Sequence, residues 1–247
     1  MAAAPFRGRI AKHGMSNDAS PAIPATLLAQ AASTSHSIPT SPTVAGYLDA
    51  LASSAPAPGG GSATGLVGAM GAALVSMVAN FTTGRTKFAE VETQIRGALD
   101  EAEAIRQRLT TLAEEDQAAY EALSQVRKLP RKTDAEKSAR TAAIQRATEA
   151  AAAPPLEMAA ACRRALELSA VVAEYGNHFL ASDAGVAALF AEAALRASAI
   201  NVRVNLATIN DPAFIEEQER RLNALLEGTP TLKEEVLAVA GRRMVGG

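Results

Sequence analysis

The most restrictive feature of this sequence is a stretch without any charged side chain, which runs from Ala50 to Gly84. Within it, residues 63–79 are all apolar or small. The segment is short for a membrane span, and its glycine, serine and alanine residues dilute its hydrophobicity. We therefore predict a helix that is buried on all sides inside a helical bundle, and no association with a membrane.

Three glycines in this segment, Gly65, Gly68 and Gly71, recur at a spacing of three residues. Glycine is costly inside a helix, so its repeated use needs a reason. Two reasons remain open at this point: close packing against neighbouring helices, or proximity to a ligand.

A loop rich in proline and glycine, residues 54–65, precedes the apolar segment. It lacks the lysine of a phosphate-binding loop, and no strand precedes it as in a dinucleotide-binding unit. Helical periodicity on both sides argues against a slack linker. We predict a tight loop with Ser62 as the N-cap of the buried helix, where free N–H groups favour an anionic or polar ligand. A simple turn between two packed helices is the alternative.

The composition predicts an all-α fold. Of the 247 residues 48% are hydrophobic, but only 4% are aromatic, so alanine, leucine and other aliphatic residues must build the core. A net charge of −2 argues against charge-driven nucleic-acid binding. The single cysteine, Cys162, fits a reducing compartment, and we expect a cytoplasmic protein. The three histidines lack the spacing of zinc ligands, so we predict no metal.

Long segments with apolar residues at steps of three and four indicate helices over most of the chain. The longest runs from Thr86 to about Val126 and could exceed forty residues, or about 60 Å. Helix starts and stops are predicted at Thr133–Glu136 (a capping box), Pro154–Pro155, Gly176–Asn177, Ser182–Asp183 (capping a helix over 184–209) and Asp211–Pro212. The result is a single-domain bundle of long helices.

The chain divides into three predicted parts. Residues 1–40 are rich in Ala, Ser, Pro and Thr and are predicted to be disordered or extended. Residues 41–228 form the helical domain, and residues 229–247 form a short helix or tail. The broad apolar faces of several helices favour a homodimer.

Several polar residues are candidates for a site, although each also has a purely structural interpretation. Arg85 and Lys87 are the first cations after the uncharged stretch. Asp116 lies four residues before Tyr120, and a polar stripe of Ser198, Asn201 and Asn205 marks an otherwise apolar helix. Such groups either line a pocket or pair with a neighbouring helix.

These segments, taken in order, resemble the cyclodeaminase/cyclohydrolase family. The loop Pro56–Ser62 resembles the family's signature loop, and residues 68–80 resemble the helix after it. Gly84–Phe88 is similar to a Gly-Lys-Lys-Lys-Tyr-type segment. Further matching segments follow in family order: Glu115–Tyr120, Leu129–Thr133, Glu136–Arg140, Ala143–Gln145, Pro155–Glu157, Gly176–Asn177, Ser182–Val186 and Asn201–Leu206.

The resemblance implies an all-α, dimeric, metal-free enzyme that acts on a tetrahydrofolate derivative and holds no permanent cofactor. Members hydrolyse 5,10-methenyltetrahydrofolate to the 10-formyl form, or release ammonia from 5-formiminotetrahydrofolate. We expect the hydrolysis, because the chain carries no formiminotransferase domain. The cyclodeaminase reaction and a non-catalytic folate-binding scaffold are the alternatives.

The resemblance also implies roles for single residues. Asp183 is the predicted base or the partner of the substrate cation, Lys87 polarises the water or holds the new carbonyl oxygen, and Asp116 is a second carboxylate. The predicted backbone cradle for the substrate consists of Gly59, Gly60, Gly61 and Ser62. The amides predicted to bind the pterin or the intermediate are Asn177, Asn201 and Asn205. The cation predicted to bind the glutamate tail is Arg140.

Two departures from the family pattern affect the expected substrate more than the fold. Only Lys87 of the family's lysine run carries over, within Arg85-Thr86-Lys87. His178 follows Gly176-Asn177, where another polar or small residue is expected. A histidine there can titrate near neutral pH or cap the helix end.

Overall fold

The structure is a computed structural model that describes residues 43–245, which fall within one compact unit. This part of the chain contains α-helices and two short 3-10 helices, Thr86–Val91 and His178–Leu180, and no strand. The α-helices are α1 (Val44–Leu51), α2 (Gly60–Asn80), α3 (Glu92–Val126), α4 (Asp134–Ala151), α5 (Ala153–Tyr175), α6 (Ala181–Leu206), α7 (Pro212–Leu226) and α8 (Thr229–Val245). The predicted all-α bundle is confirmed, while the prediction for residues 1–40 lies outside the described residues.

Helix α2 lies at the centre of the bundle and packs against α3, α5 and α6. Its glycines explain how three neighbours fit around it. A Cβ on Gly65 would lie 2.9 Å from the carbonyl oxygen of Leu109, and one on Gly68 would lie 2.7 Å from Sγ of Cys162. A Cβ on Gly71 would lie 3.2 Å from the carbonyl oxygen of Ala187. These three glycines therefore serve close helix packing.

The prediction that α2 is buried on all sides is wrong along one stripe of the helix. Met70 is 49% exposed and Phe81 is 48% exposed, because no helix of the described chain covers that side. The neighbouring face of α6 is also uncovered: Ile200 and Val204 are each 64% exposed. We call the apolar face the outward-facing side of α2 and α6 that carries Met70, Leu189, Ile200 and Val204.

Helix α3 begins later than predicted. Residues 86–91 form a 3-10 helix, and the 35-residue α-helix begins at Glu92. Gly84, with a φ of 72°, turns the chain after α2, and its N–H donates to the Glu92 carboxylate at 2.9 Å. The predicted apolar stripe is confirmed at its centre, where the following residues are buried: Ile95, Ala98, Ala102, Leu109 and Leu112.

Most of the predicted helix boundaries are confirmed. The Thr133 hydroxyl accepts from the Glu136 N–H at 3.2 Å, and the Glu136 carboxylate accepts from the Thr133 N–H at 2.9 Å, which completes the capping box. Pro154 and Pro155 lie in the first turn of α5, where their missing N–H groups cost nothing. Asp211 caps α7 by accepting from the N–H groups of Ala213 and Phe214.

The last helix, α8, packs against α5 and α6 and closes the end of α5. The Arg243 guanidinium donates to the carbonyl oxygens of Ala173 at 2.5 Å, Glu174 at 2.6 Å and Gly176 at 2.7 Å. Carbonyl groups at a helix end have no partner inside the helix, so a cation placed there satisfies them.

Two segments, Gly60–Asn80 and His178–Leu206, are long and apolar enough to cross a membrane by length and composition alone. The core helices of a soluble bundle pass the same test. In the apolar window of the first segment, 61% of the residues are buried inside the protein. The finding is therefore weak evidence for a membrane span.

Candidate active site

A cavity of about 310 Å³ lies at the N-terminal end of α2. The glycine loop forms one side, α3 and the end of α6 form the others, and the last residue of α4 closes it. The structure brings together seven of the predicted site residues in its wall: Gly59, Gly60, Gly61, Ser62, Asp116, Asn201 and Asn205. A cavity at a helix N-terminus with several polar side chains in its wall can hold a ligand that carries both oxygen and nitrogen groups.

The start of α2 differs from the prediction. Gly59, in an extended conformation, is the residue that precedes the helix, so Ser62 lies inside the first turn and is not the N-cap. No side chain caps this end, which leaves the first N–H groups of the helix without a side-chain partner. The Ser62 hydroxyl instead lies 3.1 Å from the hydroxyl of Tyr47, which connects α1 to the cavity wall.

Asp116 on α3 lies directly against the glycine loop. A Cβ on Gly61 would lie 1.9 Å from Oδ2 of Asp116, so any larger residue there would displace this carboxylate from its position. Burial raises the pKa of Asp116 above its ordinary value, because few groups replace the lost water. An unpaired carboxylate of this kind suits contact with a positively charged or N–H-bearing ligand.

The polar stripe of α6 both pairs with other helices and lines the cavity. The Asn201 amide nitrogen lies 3.5 Å from the Thr64 hydroxyl, and the Asn205 amide donates to the carbonyl oxygen of Ala151 at 2.7 Å. Ser198, the third member, is fully buried, and its hydroxyl has no hydrogen-bond partner. It does not line the cavity.

Two residues with polar side chains in the cavity wall, Gln117 and Tyr120, were not predicted as site residues. Tyr120 lies one helical turn after Asp116, and this spacing was the signal that could have identified it. Gln117 gave no signal, because a glutamine on a charged helix is usually solvated. Its side-chain nitrogen donates to Glu121 at 3.2 Å, while its oxygen is buried without a partner.

The opposite end of the α2–α6 pair holds three other predicted residues: Lys87, Asn177 and Asp183. The Lys87 ammonium lies 4.5 Å from the ring centre of Phe88 and 5.7 Å from that of Phe179. Phe179 follows Asn177, whose backbone N–H donates to the buried Thr82 hydroxyl at 2.9 Å. Asp183 is half-buried in the first turn of α6.

The predicted cap of α6 by Ser182 and Asp183 is wrong. A 3-10 turn over His178–Leu180 runs directly into the helix, which begins at Ala181, so both residues are already helical. The helix also ends at Leu206, three residues before the predicted end. Asn177 is the capping residue of the 3-10 turn, where its side chain accepts from the Phe179 N–H at 3.3 Å.

The two groups of predicted residues are far apart in one chain. At 1.5 Å per residue, Asp183 and Asn201 are about 27 Å apart along α6. α2 runs antiparallel to α6, as Gly60 lies near Asn201 and Gly71 near Ala187. Lys87 therefore follows the end of α2 that is remote from the glycine loop.

Arg140 lies outside the cavity wall. The two residues that depart from the family pattern, Arg85 and His178, also lie outside it. The Arg140 guanidinium donates to the carbonyl oxygen of Arg127 at 2.9 Å and so stabilises the loop between α3 and α4. The His178 ring lies 4.1 Å from the Phe179 ring, and the Arg85 guanidinium lies 5.9 Å from the ring centre of Phe81. Within residues 43–245, no group of three or more His, Cys, Asp or Glu side chains could hold a metal ion.

The comparisons with known proteins agree with the resemblance found in the sequence. The sequence model of the formiminotransferase-cyclodeaminase family matches residues 43–224. A methenyltetrahydrofolate cyclohydrolase of Methylorubrum extorquens is 46% identical over 194 residues, which cover 78% of this chain and 93% of that protein. A formimidoyltransferase-cyclodeaminase of Rattus norvegicus is 35% identical over 181 residues, or 73% of this chain and 34% of that protein.

This chain therefore spans about a third of the formimidoyltransferase-cyclodeaminase from Rattus norvegicus. A solved structure of the formiminotetrahydrofolate cyclodeaminase from Thermotoga maritima superposes with a TM-score of 0.72 at 28% identity and covers 81% of this chain and 96% of that one. The named relatives are enzymes, and the matches extend over the helices that build the cavity. The chain thus belongs to the formiminotransferase-cyclodeaminase family.

Proposed function

We propose that this protein hydrolyses 5,10-methenyltetrahydrofolate to 10-formyltetrahydrofolate. The observation that carries the proposal is the 46% identity to the methenyltetrahydrofolate cyclohydrolase of Methylorubrum extorquens along 93% of that protein. The formimidoyltransferase-cyclodeaminase of Rattus norvegicus is 35% identical. The tetrahydrofolate derivative enters as substrate, and the proposed reaction needs no further cofactor.

The reaction converts an amidinium cation into a neutral formamide. Water adds to the carbon between N5 and N10 and loses a proton to a base, which gives a tetrahedral intermediate. The C–N5 bond then breaks, N5 takes up a proton, and the formyl group remains on N10. The protein must therefore supply a base, a proton donor for N5 and negative charge near the substrate cation.

The predicted catalytic residues fit these tasks by their chemistry. Asp183 is proposed as the base, and Lys87 as the cation that orients the water or holds the new carbonyl oxygen. Asp116 supplies negative charge at the cavity. In one chain, however, about 27 Å separates Asp183 from the cavity end of α6, which is too far for both ends to reach one carbon atom.

A homodimer resolves this separation. The apolar face runs along α6 from Leu189 to the cavity end, where Val204 also lines the cavity, and it exposes Met70, Leu189, Ile200 and Val204 by 42–64%. Large apolar side chains clustered on one side of a soluble protein commonly mark an interface. We propose that a second copy covers this face.

The antiparallel arrangement of α2 and α6 determines which residues a two-fold dimer would bring together. With the axis perpendicular to both helices near their centres, the start of one copy's α6 faces the end of the other's. Lys87 and Asp183 of one chain would then approach the glycine loop and Asp116 of the second chain. Two equivalent sites result, each built from both copies.

The test of the function follows the loss of 5,10-methenyltetrahydrofolate absorbance with purified protein, measured against the uncatalysed rate. The proposal predicts acceleration by the wild type and a large loss in Asp183→Ala. If 5-formiminotetrahydrofolate is instead consumed with release of ammonia, the protein is a cyclodeaminase. Failure with both substrates would favour the non-catalytic scaffold.

The dimer is tested separately by light scattering after size-exclusion chromatography. We expect the wild type to have the mass of two chains, and Ile200→Glu to have the mass of one, because a buried unpaired carboxylate opposes association. A wild type with the mass of one chain at assay concentrations would refute the dimer. Glu217→Lys on α7 is the control, since Glu217 pairs with Arg220 on the same helix and lies outside the apolar face.

A further inference from the structure

The amide side chains around the cavity share one property: each directs an N–H towards a group of the protein. The Asn205 amide nitrogen donates to the carbonyl oxygen of Ala151 at 2.7 Å, and that of Gln117 donates to the Glu121 carboxylate at 3.2 Å. The Asn201 amide nitrogen makes a longer contact of 3.5 Å with the Thr64 hydroxyl. Each side chain thus keeps its oxygen free of a protein partner, beside one remaining N–H.

Chemistry, and not only the position of the atoms, determines these amide orientations. A carbonyl and a carboxylate can only accept hydrogen bonds, so the groups that face Ala151 and Glu121 must be NH₂ groups. The Thr64 hydroxyl donates to the carbonyl oxygen of Gly60 at 2.7 Å. Its free lone pair therefore faces Asn201, whose nitrogen must be the donor.

The oxygens that remain have no partner in the described chain. The Gln117 oxygen is buried without a hydrogen bond, which is costly unless something else fills that role. The Asn201 oxygen lies on the Gly60 side, 3.9 Å from where a Cβ on that glycine would be. The Asn205 oxygen is a third acceptor in the wall, and the Asp116 carboxylate against Gly61 is the fourth. The cavity wall thus offers four acceptors, and its donors include the uncapped N–H groups at the start of α2 and the hydroxyls of Ser62 and Tyr120.

We propose that this acceptor wall, formed by Gln117, Asn201, Asn205 and Asp116, recognises the N–H-bearing edge of the pterin ring. That edge carries the 2-amino group and N3–H, which are donors, beside a ring oxygen that the helix N–H groups can satisfy. The inference rests on the proposed function and assigns the pterin to this cavity. It gives Asp116 a role in recognition, in place of the catalytic role predicted from the sequence, and makes Gln117 a specificity-determining residue.

The acceptor wall makes a prediction about ligand chemistry that a merely polar pocket does not. A ligand without the 2-amino donors leaves the acceptors unpaired, so the wild type should discriminate against it. Replacing Gln117 by methionine keeps the side-chain length but removes one acceptor. The variant should therefore lose affinity only for the ligand that carries the amino group.

The experiment measures Kd by calorimetry for two probes, 5-formyltetrahydrofolate and its analogue with a methyl group in place of the 2-amino group. Wild type should bind the amino form at least roughly tenfold more tightly. Gln117→Met should weaken the amino form by about tenfold and leave the methyl form unchanged. Gln145→Met is the control, because both ends of the Gln145 amide bond to backbone groups of residues 208 and 210.

The outcomes separate this inference from the proposed function. If the wild type binds both probes equally, or if Gln117→Met weakens both equally, the acceptor wall does not read the pterin edge, although the protein still binds folate. If the wild type binds neither probe, the proposed function fails and this inference fails with it. Retained discrimination in Gln145→Met and lost discrimination in Gln117→Met support the assignment.

Discussion

The Asp116 carboxylate occupies the space in which any side chain on Gly61 would begin, since a Cβ there would lie 1.9 Å from Oδ2. The position of a carboxylate on α3, more than fifty positions later in the chain, therefore depends on this glycine. The contact joins the start of the central helix to the cavity wall. Glycine at this position therefore has a role in placing Asp116, apart from its backbone freedom.

The first prediction concerns this contact. Gly61→Ala must displace Asp116 and distort the cavity wall, while the helix itself tolerates alanine. We expect kcat/KM for the methenyl substrate to fall by about 100-fold, as for a site group displaced by about 1 Å. Gly97→Ala is the control, because a Cβ at Gly97 meets nothing within 4 Å. Unchanged kinetics in Gly61→Ala would show that Asp116 has no part in the site.

The second prediction concerns the pH dependence of stability. Burial raises the pKa of Asp116 in the folded protein, so ionising it costs more there than in the unfolded chain. Below the pKa of Asp116 in the unfolded chain, this cost to the stability of the folded protein is absent. The cost appears as the pH rises and is complete above the pKa of Asp116 in the folded protein. Asp116→Asn should therefore be more stable than wild type at pH 7, and the difference should shrink towards pH 3.

Thermal unfolding followed by circular dichroism at several pH values measures this difference. Asp134→Asn is a suitable comparison, because Asp134 lies exposed at the start of α4 and pairs with Lys137. A stability difference between Asp116→Asn and wild type that grows as the pH falls would contradict the account.

The third prediction concerns packing around α2. Gly65→Ala places a Cβ 2.9 Å from the carbonyl oxygen of Leu109 and from the Cβ of Ala113, and neither neighbour can rotate away. We expect a loss of about 1–3 kcal/mol in the free energy of unfolding. Gly97→Ala, also inside a helix, should instead gain about 0.5–1 kcal/mol. Urea titration distinguishes the two, and equal effects would contradict the packing interpretation.

The fourth prediction concerns the last helix. Arg243 donates to three carbonyl groups at the end of α5, so Arg243→Met should lower the free energy of unfolding by about 2–3 kcal/mol. Arg242→Met is the matched control, because Arg242 is exposed in the same helical turn. Equal stability of the two variants in urea would show that the capping contacts contribute nothing.

Much of the fold could be predicted because periodicity is a local signal. The apolar positions of α3 and the capping box at Thr133 follow from spacing alone. The starts of α2 and α6 were missed, although Ser62 and Ser182 are residue types that favour caps. In both cases the backbone before them was already able to begin a helix, at Gly59 in one and through a 3-10 turn in the other.

The site was predictable only in part. The resemblance named Asp116, Asn201 and the glycine loop, which the structure brings together. Gln117 was missed because its importance lies in an unpaired oxygen, which depends on its neighbours and not on residue type. The distance between Asp183 and Asn201 could have been foreseen, since both lie on one helix with a rise of about 1.5 Å per residue.

The most direct test of the central claim, a hydrolytic site shared between two copies, uses a heterodimer. Asp183→Ala and Asp116→Ala chains with different affinity tags are co-expressed, and the mixed dimer is purified through both tags. Loss of the methenyl absorbance is then followed at low substrate concentration. A shared site predicts about half of the wild-type rate, because one of the two sites is intact. A mixed dimer no faster than either variant alone would contradict the shared site.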